Sequence, residues 1–206
     1  MARARTSLAS ALVTHAPTGH REEATGTSAP VTRHGIPIDD LAPENVNYLD
    51  CSQHPGATPA AIAAFEASIG QALPDDFKES LRLHDGGDNF WFTETSGEFL
   101  SLAGMLKQWK RYRQAQRQGE YATETEDWQA SDIEGPIKPI FWNTKRIPVT
   151  DNSGDHWTLD LDPPEDGAYG QILDHSHEVG PTQVLARSWT ELLAQLVVDL
   201  ENGKYL

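Results

Sequence analysis

Three clusters in the last third of the chain carry the residue types that metal binding and acid–base catalysis use. Asp151, Ser153 and Asp155 stand at alternate positions, as the first oxygen ligands of a calcium loop do, and Asp162 is the twelfth residue counted from Asp151. That loop requires glycine at its sixth position, where this chain has His156, and no helical pattern flanks it. The segment therefore reads as a solvated hairpin turn. His175 and His177 place two imidazoles on one face of a strand beside Asp174 and Glu178. Zinc would need further ligands converging at about 2 Å, so a strand-end pair in solvent is the plainer reading. Asp160 and Asp162 share a face, as a glycosidase carboxylate pair does, but residues two apart on a strand suit that chemistry only if one is buried. Cys51 could act as a nucleophile with His54 or His84 as its base, yet no nucleophile motif surrounds it, and it reads as a packed or surface thiol. Neither standard phosphate-binding glycine spacing occurs. No catalytic residue, metal ligand or cofactor is expected.

Acidic and aromatic residues offer a different chemistry, that of partner binding. Glu94, Glu98, the Asp127-Trp128 pair and Asp166 form the candidate contact set, with the carboxylates steering approach and the indole anchoring it. The plain alternative is that these acids keep the chain soluble and Trp128 packs locally. A formal charge of −15, from 31 acidic and 16 basic residues, repels phosphate backbones and anionic lipid heads. A basic protein is the expected partner, rather than nucleic acid or a membrane. No apolar run approaches a membrane span. Arg3 and Arg5 precede a weakly hydrophobic stretch, Ser7 to Val13, which Thr14 and His15 interrupt; it falls short of a secretion signal. Cys51 is the one cysteine, so no intrachain disulfide can form. A cytoplasmic location is expected, and nothing sets the oligomeric state.

These side chains need elements to position them. Residues 1–45 show no sustained apolar period and read as a flexible arm, consistent with an apolar share of 38%, low for a compact chain. Residues 46–206 read as one domain. Thr58-Pro59 opens a helix with Ile62, Phe65 and Ile69 on one face and Gly70 as its stop. Pro74-Asp75-Asp76 opens a second, carrying Phe77 and Leu81 inward, and His84-Asp85-Gly86-Gly87 ends it. Phe90 to Phe92 reads as a strand. Ser101 caps a third helix with Leu102, Met105, Leu106, Trp109 and Tyr112 inward and a basic run from Lys107 to Arg117 outward. Gly119 to Gly135 is a long acid-rich loop. Ile137 to Trp142 reads as a strand, and Lys145 to Val149 follows it. In His156 to Asp162, Trp157, Leu159 and Leu161 face one way while Thr158, Asp160 and Asp162 face the other. Gly170 to His175 and Gln183 to Ala186 are further strands. Ser188 with Glu191 makes a capping box before a helix striped by Trp189, Leu192, Leu193, Leu196, Val197 and Leu200. Helices, then hairpins, then a helix is an α+β order.

With those blocks in place the chain resembles the SUKH superfamily, which includes fungal cell-wall-synthesis regulators and bacterial toxin-immunity proteins. The blocks that carry the resemblance are Ile62 to Glu66 with Ile69-Gly70, Leu73 to Phe77, His84 to Gly87, Leu100 to Leu102 before Trp109, and Trp142 followed by Arg146 to Val149. They continue through Asp151 to Asp155, Leu159 to Pro163, Gly170 to Ile172 and Val184 to Trp189, so the likeness covers residues 58–203. Pro74, Gly86, Gly87, Ile147, Pro148, Gly154, Asp155, Asp160, Asp162, Gly170 and Ser188 are the signature positions. This chain departs from the pattern at Arg146, where the family commonly has an aromatic residue. The resemblance implies a mixed, largely antiparallel sheet flanked by helices and a protein-binding role with no established catalytic centre. Two functions fit: an immunity-type protein that neutralises a cognate toxin, which a basic toxin domain would match in charge, and alternatively a regulatory adaptor in cell-wall synthesis.

Overall fold

A computed structural model describes residues 54–87, 97–120 and 133–202. The expected arm, the expected strand at Phe90 to Phe92 and residues 121–132 of the acid-rich loop lie outside the described residues. Helix α1 (Pro59–Ile69) begins where Thr58 accepts a hydrogen bond from the Ala61 amide at 3.2 Å, with proline in its first turn, and ends at Gly70 with φ 72°. Helix α2 (Asp75–Leu83) has no side-chain cap from Pro74, the residue before it. Asp76 accepts the Phe77 amide at 2.9 Å with one oxygen and, reaching across the fold, the Thr190 amide at 3.0 Å with the other. The helix ends at His84 in extended conformation, so the glycines after it do not provide the stop expected of them. Gly86 (φ 90°) serves a close approach, since a Cβ there would lie 2.7 Å from the Ser101 nitrogen.

Strand β1 (Glu98–Phe99) leads into α3 (Leu102–Gln118), capped by Ser101 at its Gly104 amide and by Asp85 at its Leu102 amide. Strands β2 (Arg146–Pro148), β4 (His156–Asp160), β5 (Gln171–Ser176) and β6 (Gly180–Ala186) form an antiparallel sheet in the order β2-β4-β5-β6. Strand β3 (Thr150–Asp151) pairs with β1 in a second, two-stranded sheet. Among the described residues an isolated parallel bridge, Glu134 to Gln183, joins this sheet. Helix α4 (Trp189–Glu201) closes the domain. Ser188 accepts its Glu191 amide at 3.1 Å, while the Glu191 carboxylate reaches the Arg187 amide at 2.9 Å, one residue earlier than a capping box prescribes.

The apolar side of the sheet is filled as the sequence alternation predicts. Ile147, Trp157, Leu159 and Ile172 join Phe65, Phe77, Leu81, Met105, Trp109 and Leu192 in one core. Trp189 sits at its centre, edge-on to Phe77 at 5.0 Å and stacked on Phe99 at 5.4 Å. Such side chains each contribute about 1.5–3 kcal/mol on burial, so the core alone accounts for the helices docking on the sheet.

Residues 137–142, expected as a strand, are not one. Pro136 and Pro139 lack the amide that a ladder needs. The segment 133–142 instead crosses the other side of the sheet as an irregular strap. Gly170 packs where a side chain cannot: its φ is 84° and a Cβ would lie 2.4 Å from Pro74 Cγ. Gly70 has the same backbone requirement with nothing within 4 Å. Gly70→Ala is expected to cost about 1–2 kcal/mol, the left-handed backbone alone, and Gly170→Ala roughly a further 1–3 kcal/mol of overpacking. Urea unfolding of both variants measures the difference.

Candidate functional site

The residues that invited chemical readings gather under this strap. In β4, His156, Thr158 and Asp160 share one side, and the antiparallel register places His156 opposite His175, Asp160 opposite Gln171, and Arg146 opposite Asp160. The alternation of this strand predicts a wet polar face. All five of its residues are buried, because the strap covers that face.

Arg146 is fully enclosed. Its two terminal nitrogens donate to the Ile140 carbonyl at 2.6 Å and the Lys138 carbonyl at 2.8 Å, and its Nε lies 3.8 Å from Asp160 Oδ1. That last distance is a charge pair beyond hydrogen-bond reach. Asp160 accepts the Asp162 amide at 3.1 Å and the Gln171 side-chain amide at 3.2 Å. Gln171 in turn donates to the Pro136 carbonyl at 2.8 Å. Burial pushes the Asp160 carboxyl up against the opposing pull of Arg146, and burial also lowers the guanidinium from its ordinary value. Arginine nonetheless stays protonated in proteins. Asp162 takes a different part. Lys138 at 2.9 Å, Asn143 at 2.9 Å and Lys145 at 3.3 Å surround it, and the Lys138 bond first of all holds its carboxyl down at about 2. The two carboxylates thus differ in environment but both serve the strap: one anchors it from beneath, the other clamps Lys138 from its edge.

His156 and His175 stack face to face with centroids 4.4 Å apart, walled by Tyr112, Phe141 and Trp142. The His156 Nδ1 is 2.7 Å from the Gly154 carbonyl, which assigns its proton to that nitrogen. Among the described residues, His156 Nε2 and both ring nitrogens of His175 have no hydrogen-bond partner. Burial pushes His156 down to about 4 and His175 well below its ordinary value, so both are held neutral. The strand pair expected in solvent is split: His175 is buried, while His177 is exposed beyond the end of β5 and pairs with Asp155 at 2.8 Å. That contact raises the His177 pKa.

The loop of Asp151, Ser153 and Asp155 is the hairpin turn expected of it. Asn152 and Asp155 exchange backbone hydrogen bonds around Ser153 (φ 55°) and Gly154 (φ 113°), the two positive angles of a primed turn. Asp151 accepts from the Gln108 side chain at 2.6 Å, and Asp155 from the His177 amide and ring. Among the described residues no three His, Cys, Asp or Glu side chains converge as metal ligands would. Of the proposed contact set, Glu98 is exposed on β1 opposite Asp151, and Asp166 is exposed in the β4–β5 turn at the other end of β4. Glu94, Asp127 and Trp128, like Cys51, lie outside the described residues. Sequence reasoning passed over Arg146 and Gln171 as partners of Asp160, and His156 as the stacking partner of His175. The signal was present in their shared parity on neighbouring strands.

Comparison with known proteins follows the same boundaries. The sequence pattern of the SMI1 / KNR4 family (SUKH-1) matches residues 56–195. The cell wall biosynthesis/cell cycle regulator smi1 of Schizosaccharomyces pombe is 31% identical over 188 residues, covering 86% of this chain and 37% of that protein. The glucan synthesis regulatory protein of Neurospora crassa is 26% identical, covering 82% of this chain and 38% of its own length. The cell wall assembly regulator SMI1 of Saccharomyces cerevisiae is 25% identical, again over 82% of this chain and 40% of its own length. The chain therefore spans about two-fifths of the relatives it matches.

Two outcomes follow from the buried group. Arg146→Met leaves Asp160 buried without its charge partner and two strap carbonyls without donors, and should cost about 3–5 kcal/mol; Arg146→Met combined with Asp160→Leu should recover part of that in a double-mutant cycle. The histidines set a pH dependence. Their folded pKa values are depressed, so below about 6.5 the unfolded chain takes up protons that the fold refuses, and stability falls as pH drops toward 4. His177, whose pKa is raised, contributes in the opposite sense and offsets part of this. Denaturation at pH 7, 6 and 5 should show a loss of up to about 1.4 kcal/mol per pH unit for each buried imidazole, and His156→Gln should reduce the slope.

Proposed function

Because the chain belongs to the SMI1 / KNR4 family (SUKH-1), we propose that it is a non-catalytic binding module acting in the cytoplasm as a regulatory adaptor of cell-wall synthesis. The observation that carries this reading is the set of fungal relatives, each named as a regulator of the cell wall or of glucan synthesis and each aligned over more than four-fifths of this chain. The buried site agrees with it. Asp160, His156 and His175 are enclosed beneath the strap and Asp162 is clamped by two lysines, so these groups are engaged within the scaffold. Partners would meet the exposed surface, with Glu98 and Asp166 among the proposed contacts. The immunity reading, in which the chain neutralises a basic toxin domain, has its support in the charge of −15. The relatives favour the regulatory reading over it.

A chimera tests the choice. In fission yeast, the matching segment of smi1 is replaced by residues 54–202 of this chain, and growth is scored under cell-wall stress against a smi1 deletion. The regulatory reading expects the chimera to restore growth. A chimera that accumulates normally yet behaves as the deletion contradicts it.

A further inference from the structure

We propose that the outer face of α3 is a docking surface for a short carboxylate-rich segment of a partner protein, bound along the helix by its lysines and arginines. The helix carries Lys107, Lys110, Arg111, Arg113 and Arg117 and no acidic residue, in a chain whose formal charge is −15. Its inner face is occupied, with Leu102, Met105 and Trp109 buried in the core. Lys107, Lys110, Gln114 and Arg117 are all exposed and fall in one row at i, i+3, i+7 and i+10. At a rise of 1.5 Å per residue that row is about 15 Å long. Among the described residues, none of the five cations makes an ion pair with a carboxylate. Neighbouring like charges on a helix repel, so a cationic row without acidic neighbours is unfavourable until a ligand neutralises it.

One of these groups is already held in place. The Arg113 guanidinium carbon lies 5.0 Å from the Trp109 ring centroid, and the indole N–H is itself fixed by the Thr144 carbonyl at 2.7 Å. A guanidinium ordered on an aromatic face loses less freedom on binding than a free side chain does. Lys110, Arg113, Gln114 and Arg117 line a shallow depression of about 350 Å³ beside it.

The arrangement favours carboxylates spread along a peptide. The row runs over three turns, about 15 Å, farther than a single phosphate reaches. An extended strand of roughly five residues covers the row at about 3.3 Å each. A longer polyanion or an anionic bilayer would also meet the field of a chain whose formal charge is −15. The inference rests on the reading of the chain as a binding module and adds to it a surface and a partner chemistry.

The test is fluorescence anisotropy of a fluorescein-labelled hexaglutamate peptide titrated with the full chain at low salt. Saturable binding is expected, weakened by about tenfold or more in Lys110→Glu/Arg117→Glu. An unchanged unfolding midpoint shows that this variant is folded, and Lys107→Gln, a milder change, should weaken binding less. Glu79→Gln and Glu165→Gln, exposed acids off this helix, should leave binding as it is. Absence of binding, or equal binding by the reversed variant, overturns the proposal. Equal affinity for a hexathymidylate or a singly phosphorylated peptide overturns the carboxylate assignment. Self-association at low salt that the reversal abolishes assigns the row to a second copy and likewise overturns it. Failure of peptide binding leaves the chimera result standing, and failure of the chimera with peptide binding intact contradicts the regulatory reading alone.

Discussion

The Arg146 guanidinium joins parts of the chain that its sequence keeps apart. Enclosed on all sides, the charge needs partners inside the fold, and its two terminal nitrogens have them although its Nε makes no hydrogen bond among the described residues. It donates to the Ile140 and Lys138 carbonyls, which belong to the strap, and it faces Asp160 from the neighbouring strand. Asp160 engages Gln171 on the next strand, and Gln171 returns to the strap through Pro136. The circuit closes over three strands and one irregular segment. An irregular backbone carries unpaired carbonyls and can lie against a sheet only if something supplies donors. Here those donors are the side chains of Arg146 and Gln171, and the Glu134 bridge to β6 and the Lys138–Asp162 pair hold the strap at its ends.

That constraint explains what was legible in the sequence and what was not. The helices were readable because their signals are local: Thr58 before Pro59, Ser101 before Leu102 and Ser188 before Trp189 each cap the helix that follows. The inner face of β4 was readable for the same reason, since Trp157 and Leu159 alternate in a window of a few residues. Its other face was not. Polar residues at alternate positions ordinarily mean water, and only long-range pairing reveals that Thr158 and Asp160 are roofed. The apolar stretch Ile137 to Trp142 has the composition of a strand, and Pro139, with Pro136 just before the stretch, was the sign that it would not pair as one. The second helix ended at His84 without help from the glycines after it, because their conformation answers to Ser101 and Phe99, which are distant in sequence.

The same distinction bears on function. Carboxylates and imidazoles two apart on strands suggest an active site, yet each is accounted for by a packing or charge partner within the domain, apart from the stacked imidazole nitrogens that have no hydrogen-bond partner. Those nitrogens make the centre of the site costly to protonate, and so tie the fold to neutral pH. Membership in the SMI1 / KNR4 family fits a domain whose interior is devoted to holding its shape. Against an acidic surface, the cationic row of α3 is the largest local reversal of charge among the described helices.

The central claim is that the strap is an integral part of the sheet, fastened by buried charge, and opens only when the domain does. Native-state hydrogen exchange resolved to single amides tests it most directly. The amides of Glu134, Ile137 and Ile140, hydrogen-bonded to Thr182, Gly135 and Lys138, report on the strap, and those of β4 and β5 report on the sheet. The account predicts that both groups exchange with the same free energy, near that of global unfolding. Strap amides that exchange through a separate opening, several kcal/mol below the sheet, would contradict it.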